Sequence, residues 1–206
     1  MLHPDRVLIH PKSATLFLAD AHFGKSATFR QGGIPVPSGI MQLDLNRLSK
    51  LIQQFQIEEL FFLGDLFHSS INTEWIEFMN WRKQHHQVRT NLIAGNHDIL
   101  DSDAYENAQI EMHSESHEWN GVHLRHHPVE TGHQHEMYPY FCGHVHPGVR
   151  MSAPGKFNET LPCFQLSGSM LMLPAFGSFT GLGVIQPQIE DRVFVVAGSL
   201  VHEVVR

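Results

Sequence analysis

The chain alternates short, largely apolar runs with longer segments whose apolar residues recur at helical spacing. Thr15–Ala19 (TLFLA), Glu59–Leu63 (ELFFL) and Val88–Ala94 are such runs, each ending at Gly or a polar residue. Short continuous apolar runs suit strands buried on both faces. Between them, Ile40, Leu43, Leu45, Leu48, Leu51, Ile52 and Phe55 mark one helix, with Ser38 as its expected cap. Asn72–His86 marks a second amphipathic helix through Trp75, Ile76, Phe78, Met79 and Trp81. Phe23–Pro37 contains Gly24, Gly32, Gly33, Pro35 and Pro37 and reads as a loop, long enough to act as a lid.

The second half changes character. Its apolar runs are shorter and Gly and Pro are frequent: Gly121–Leu124, Tyr138–Cys142, Cys163–Leu166, Met170–Leu173, Gly183–Ile185, Val193–Val196 and Leu200–Val205. This half is expected to be mostly strand with turns between. The expected class is α/β (α+β): a two-layered sheet core flanked by helices, the first half βαβα and the second mostly β. No repeat or linker divides residues 1–206, so a single domain is expected.

The polar residues that end the apolar runs carry the candidate chemistry. Asp20-Ala-His22 follows the first run, Gly64-Asp65 the second, and Gly95-Asn96-His97-Asp98 the third; His126 and Gly143-His144-Val145-His146 come later. Sites in open α/β sheets lie outside the carboxyl ends of strands, which brings Asp20, Asp65 and Asn96 to one edge. Each motif alone is a common turn or cap; all of them in this order point to a two-metal hydrolytic site. Two dications about 3.5–4 Å apart repel unless an anion lies between them, and Asp65, at a strand end, suits that bridge. Asp20 and His22, like His144 and His146, are spaced to share a face if the backbone is extended. Asn96 adds a neutral oxygen. His126 and His127 are adjacent, and the register from Leu124 favours His126 as the ligand.

Composition sharpens this. The chain has 17 histidines, and His is the commonest metal ligand. Some read as surface residues: His85 and His86 at a helix end, His133 and His135 in a polar stretch. The net charge of −7 excludes a uniformly basic nucleic-acid coat, though two bound dications would make the site itself positive. Cys142 and Cys163 form no CxxC pair, so a reduced setting is expected. No leader pattern or long apolar span appears, so the expected location is the cytoplasm, with no membrane segment.

The motif series resembles the calcineurin-like metallophosphoesterase superfamily, whose signature reads D-x-H, GDxxD, GNH[DE], H and GHxH. The resemblance spans Asp20 to His146. It implies a β-sandwich flanked by helices, with Asp20, His22, Asp65 and His146 on one metal and Asp65, Asn96, His126 and His144 on the other. A hydroxide bridging the metals would attack phosphorus, and His97 would protonate the leaving oxygen, giving His97 and Asp65 the catalytic roles. The cofactors implied are two divalent ions, Mn foremost, with Fe or Zn accepting the same donors. One departure stands out: the second Asp of GDxxD is His68 here. His68 is then either beside the metals or a solvated loop residue, and Asp98 is an alternative support for His97.

A narrower resemblance, to the bacterial ligase-associated DNA-damage-response phosphoesterases, rests on Leu18–Lys25 (LADAHFGK), Arg125–Pro128 (RHHP), Gly143–Pro147 (GHVHP), Pro162–Phe164 (PCF) and Leu173–Gly181 (LPAFGSFTG). It implies a DNA phosphodiesterase or endonuclease in DNA repair, associated with a DNA ligase and helicase. Lys25, Arg30 and Arg125 flank the motifs and are either solvated charges or contacts to substrate phosphates. The phenylalanines of Leu173–Gly181 either pack in the core or stack on bases. Rival readings are a small-molecule or nucleotide phosphoesterase and, from another class, a metal-free protein-interaction scaffold on the same fold.

Overall fold

Residues 1–68, 70–129, 138–153 and 157–204 are described by the structure, a computed structural model. His133 and His135 lie outside them. Among the described residues the strands are β1 (Leu2–His3), β2 (Val7–His10), β3 (Thr15–Leu18), β4 (Glu59–Phe62), β5 (Arg89–Ile93), β6 (Ile110–His113), β7 (Ser116–Trp119), β8 (Val122–Arg125), β9 (Tyr140–Cys142), β10 (Pro147–Ala153), β11 (Phe157–Ser167), β12 (Met170–Met172), β13 (Gly183–Val184), β14 (Arg192–Ala197) and β15 (Leu200–Val204). The helices are α1 (Lys25–Gln31), α2 (Ile40–Phe55), α3 (Thr73–Gln84) and α4 (Ser102–Asn107).

The first sheet runs β1-β2-β3-β4-β5-β6, parallel from β3 to β6. The second runs β13-β10-β11-β12-β9-β8-β7, with β14 and β15 added alongside β11. The apolar runs of β3 and β4 are continuous because both faces are covered, and β5 is likewise buried from Thr90 to Ile93. Leu16, Leu18, Leu60, Phe62 and Leu92 point toward the helices and join Leu45, Leu48, Trp75 and Phe78. Phe17, Ala19, Phe61, Leu63 and Ile93 point the other way and meet Leu124, Phe164, Leu173 and Val196 of the second sheet. The period of two along each strand thus divides the core into two layers.

Several expectations change. Part of the loop Phe23–Pro37 is α1, whose Ser26 and Ala27 are buried and whose Ser26 hydroxyl donates to the Glu74 carboxylate. Its apolar content is low, so periodicity does not reveal it. The cap of α2 is Gly39, not Ser38, and no side chain caps it. Asn72 does cap α3, accepting from the backbone N–H of Glu74 and Trp75. His85 is buried rather than a surface residue: it sits 2.9 Å from the Ser49 hydroxyl, which accepts from the Trp81 indole. Strands β1, β6, β7 and β10 and helix α4 have too short or too polar a pattern to be read from sequence.

Candidate metal centre

Three parallel strands deliver their following residues to one edge. There the segments after β3 and β4 run side by side: the Asp20 N–H donates to the Gly64 carbonyl, His22 N–H to Asp65 and Phe23 N–H to Leu66, at 2.9–3.1 Å. The His97 N–H donates to Asp65 Oδ1 at 2.9 Å, and the His144 N–H to Asp20 Oδ2 at 3.0 Å. The motifs are tied together through backbone donors as well as side chains.

The local backbone is not the extended alternation expected from the DxH and HxH spacings. Asp20, His22, Asp65, His144 and His146 all have positive φ, between 47° and 71°. For non-glycine residues this conformation costs of order 1–3 kcal/mol each, and such strain gathers at functional sites. Two glycines make the crowding possible. A Cβ on Gly64, itself at φ 85°, would run into the His126 ring, and one on Gly95 would run into the Asp65 carboxylate.

Two clusters result. In one, His22 Nε2 and His146 Nε2 lie 3.2 Å apart, with Asp20 Oδ1 3.4 Å from the His146 nitrogen and Asp65 Oδ2 3.6 Å from that of His22. In the other, His126 Nε2 and His144 Nδ1 lie 3.2 Å apart, with Asp65 Oδ1 3.5 Å from the His126 nitrogen. Asp65, only 2% exposed, turns one oxygen to each cluster. The opposite ring nitrogen of His126, Nδ1, is 2.9 Å from the Leu63 carbonyl, which leaves Nε2 for the site. Nitrogens bound to one ion at about 2.0–2.1 Å in tetrahedral geometry would be roughly 3.4 Å apart, so these spacings fit divalent-metal binding.

The electrostatics favour that use. Burial holds the His22 imidazole down at about 3, against the pull of Asp65, and the charges of Lys25, His146 and His68 act in the same direction. Burial also depresses His144 and His127. These shifts favour the neutral rings, which offer lone pairs; burial lowers His126 too, but its bonds to Asp65 and the Leu63 carbonyl outweigh it and raise it. Burial pushes the Asp65 carboxyl up, but hydrogen bonding and attraction from His126, the His97 N–H and His22 outweigh it, leaving it well below the carboxylate range.

The remaining candidates divide. Asn96 is exposed in the turn between Gly95 and His97. The His68 ring stacks on His97 at 4.4 Å, and its Nδ1 lies 3.3 Å from His22 Nδ1, so His68 is beside the site and not a solvated loop residue. Asp98 does not act on the His97 ring: its carboxylate accepts four backbone N–H groups, from Asp65, Leu66, Phe67 and Gly95. Lys25 is close enough for its charge to act on His22, His68 and Asp65. Arg30 turns instead to Glu74 at 2.8 Å and to the Pro37 carbonyl. The Arg125 guanidinium lies over the Tyr140 ring, 5.6 Å from its centre.

Two participants have roles the sequence does not assign. The His127 ring is 4.1 Å from that of His144, so both members of the HH pair face the second cluster. The segment Leu173–Gly181 clamps the DAH turn: the Phe176 N–H donates to Ala19 and the Gly177 N–H to Asp20. The Phe176 side chain is core, while Phe179 packs edge-on against Phe29 of α1.

No protein-family model and no curated protein matches the chain. Among solved structures, nuclease MPE from Pseudomonas putida superposes with a TM-score of 0.81 at 28% identity, over 98% of this chain and 93% of that one. An Aquifex aeolicus protein of unknown function gives 0.47 at 20% identity, over 64% of this chain and 78% of its own. The phosphoesterase Yfce from E. coli gives 0.45 at 12% identity, over 92% and 97%. The last two superpose too loosely to carry weight; the first covers both sheets, the helices and the site edge together. The chain has a metallophosphoesterase-type fold.

Proposed function

We propose that this protein is a metal-dependent phosphodiesterase acting on nucleic acid, DNA foremost, through one binuclear centre in a single domain spanning residues 1–206. It is a phosphoester-hydrolysing enzyme. The observation that carries the two-metal reading is Asp65, a buried carboxylate with one oxygen 3.6 Å from His22 Nε2 and the other 3.5 Å from His126 Nε2. Asp20, His22, Asp65 and His146 would hold one cation, and Asp65, Asn96, His126 and His144 the other. Bound there, divalent ions, Mn foremost and Fe or Zn with the same donors, supply charge neutralisation of the phosphate and a water of lowered pKa.

The chain's own groups do the rest. Asp65 holds the two histidine clusters in register, and the backbone N–H of His97 is fixed on Asp65, which sets where the His97 ring stands. His97, with His68 stacked on it, donates the proton that the leaving oxygen needs. Lys25 stands at the N-terminus of α1 to meet phosphate oxygens. Similarity to the Pseudomonas putida nuclease supports a nucleic-acid substrate. A role in DNA repair beside a DNA ligase and helicase, and a cytoplasmic setting, belong to the same proposal. Two buried free thiols, Cys142 and Cys163, agree with a reducing compartment, and no helix among the described residues is long and apolar enough to cross a membrane.

The test is hydrolysis of bis-p-nitrophenyl phosphate, p-nitrophenyl phosphate and single- and double-stranded DNA, with Mn²⁺ and with chelator. Metal-dependent cleavage of the diester and of DNA, lost in Asp65→Asn, is expected. Cleavage of small esters alone would replace the substrate reading with a nucleotide or small-molecule phosphoesterase. Full activity in Asp65→Asn would remove the bridging assignment.

A further inference from the structure

Ile71 and Ile99 are 60% and 70% exposed, yet they are not scattered surface residues: they line one cleft of about 560 Å³ with Leu100 and Ala104, Asp101 and Asp103. Leu100 and Ala104 pack against the helix-side core and make a fixed floor. The cleft has the size of a small-ligand site, and among the described residues Ile71 and Ile99 are left exposed in its walls.

Its position ties it to the chemistry. Ile99 follows His97 by two residues and its N–H donates to the His97 carbonyl at 2.9 Å, so the two are held in one turn. With consecutive Cα atoms about 3.8 Å apart, the Ile99 Cα lies within about 7.6 Å of that of His97, and the Ile71 Cα within about 11.4 Å of that of His68. His68 and His97 are themselves stacked at 4.4 Å. One wall of the cleft, at Ile99, is therefore held in the same turn as His97.

We propose that the Ile71–Ile99 cleft seats the nucleobase of the nucleoside on the leaving-group side of the scissile phosphate. This rests on the reading above, in which His97 protonates the leaving oxygen of a nucleic-acid diester: the group beside His97 is then the departing nucleoside. A base is flat and largely apolar on its faces, which suits a cleft lined by two exposed isoleucines. The exposed carboxylates of Asp101 and Asp103 accept hydrogen bonds, so they suit the N–H edge of a base.

The experiment pairs Ile71→Ser/Ile99→Ser with oligonucleotides carrying one abasic residue at successive positions. Both isoleucines are exposed, and an unchanged melting temperature checks that the fold holds. In the unaltered protein, an abasic residue next to the cut on the leaving side should raise KM about tenfold with kcat nearly unchanged. The double variant should show the raised KM with intact DNA and no further rise with the abasic strand. An unmoved KM, or an abasic effect that persists in the variant, overturns the subsite while leaving the nuclease reading intact. If the unaltered protein hydrolyses bis-p-nitrophenyl phosphate but no oligonucleotide, the nucleic-acid reading falls and the subsite with it.

Discussion

Asp98 Oδ2 accepts the backbone N–H of Asp65 at 2.8 Å, so one buried carboxylate holds the main chain of another. Its two oxygens also take the N–H groups of Gly95, Leu66 and Phe67 at 2.8–3.2 Å. Burial pushes the Asp98 carboxyl up to about 6, against the pull of these donors. Four donors need an acceptor-only group. In Asp98→Asn an amide N–H₂ would face backbone N–H groups. The expected cost is about 1–3 kcal/mol of stability, with weaker metal binding because Asp65 loses its fixed position. Denaturant unfolding and a metal titration check both; unchanged metal affinity would show that the Asp65 backbone does not depend on Asp98.

Removing metal should destabilise the fold as well as stop turnover. Asp20, His22, Asp65 and His126 are all buried, and together they collect negative charge and lone pairs that a cation would satisfy. With Mn²⁺ at about 100 times its Kd the gain is about 2.7 kcal/mol, or about 5–10 °C in melting temperature for a chain of this size. Scanning calorimetry with Mn²⁺ and with chelator measures it. The increment should disappear in Asp65→Asn, and an equal increment in that variant would place the bound metal elsewhere.

Arg30 and Lys25 should separate cleanly. The Arg30 side chain is 33% exposed and paired with the buried Glu74, so Arg30→Met leaves a carboxylate short of a partner. A loss of about 1–2 kcal/mol is expected after allowing for solvent access, with KM for DNA unchanged. Lys25→Met should instead raise KM several-fold with little change in stability. A KM effect from Arg30→Met larger than that from Lys25→Met would reverse the two roles.

The buried His85 predicts part of the acid sensitivity. Burial, with Arg82 adding to it, holds its folded pKa below the ordinary 6.5. As pH falls below about 6.5 the unfolded chain takes up a proton that the folded chain resists, so stability present at neutral pH is lost on the acid side. His85→Gln keeps a hydrogen-bonding group near Ser49 and cannot titrate. Its stability should fall less than the parent's between pH 7.5 and pH 5 in urea unfolding. Parallel curves would show that His85 is not a source of the slope.

Much of this was written locally. Continuous apolar runs such as TLFLA and ELFFL announce strands covered on both sides, and the Asp, Asn and His residues that stop them announce a site at their carboxyl ends. Helix α3 is legible because Trp75, Phe78 and Trp81 stand at helical spacing. Helix α1 is not, because what holds it is a contact distant in sequence: Ser26 and Arg30 both reach Glu74, more than forty residues on. His85 looked like surface for the same reason, since only the packing of α2 against α3 brings Ser49 to it.

The inventory of the site is local: which residue types stand at which strand ends, and that imidazoles and carboxylates suited to divalent ions are among them. Tertiary structure decided how they are used. It replaced the extended HxH and DxH geometry with left-handed turns, because segments from β3, β4 and β9 must converge on one point, and that convergence leaves no room for straight backbone. It also decided between roles that sequence left open. Asp98 is spent on backbone amides, Arg30 on Glu74, and His68 lies on His97. A residue's type is local, but its partner is whichever chain the packing brings within hydrogen-bond reach.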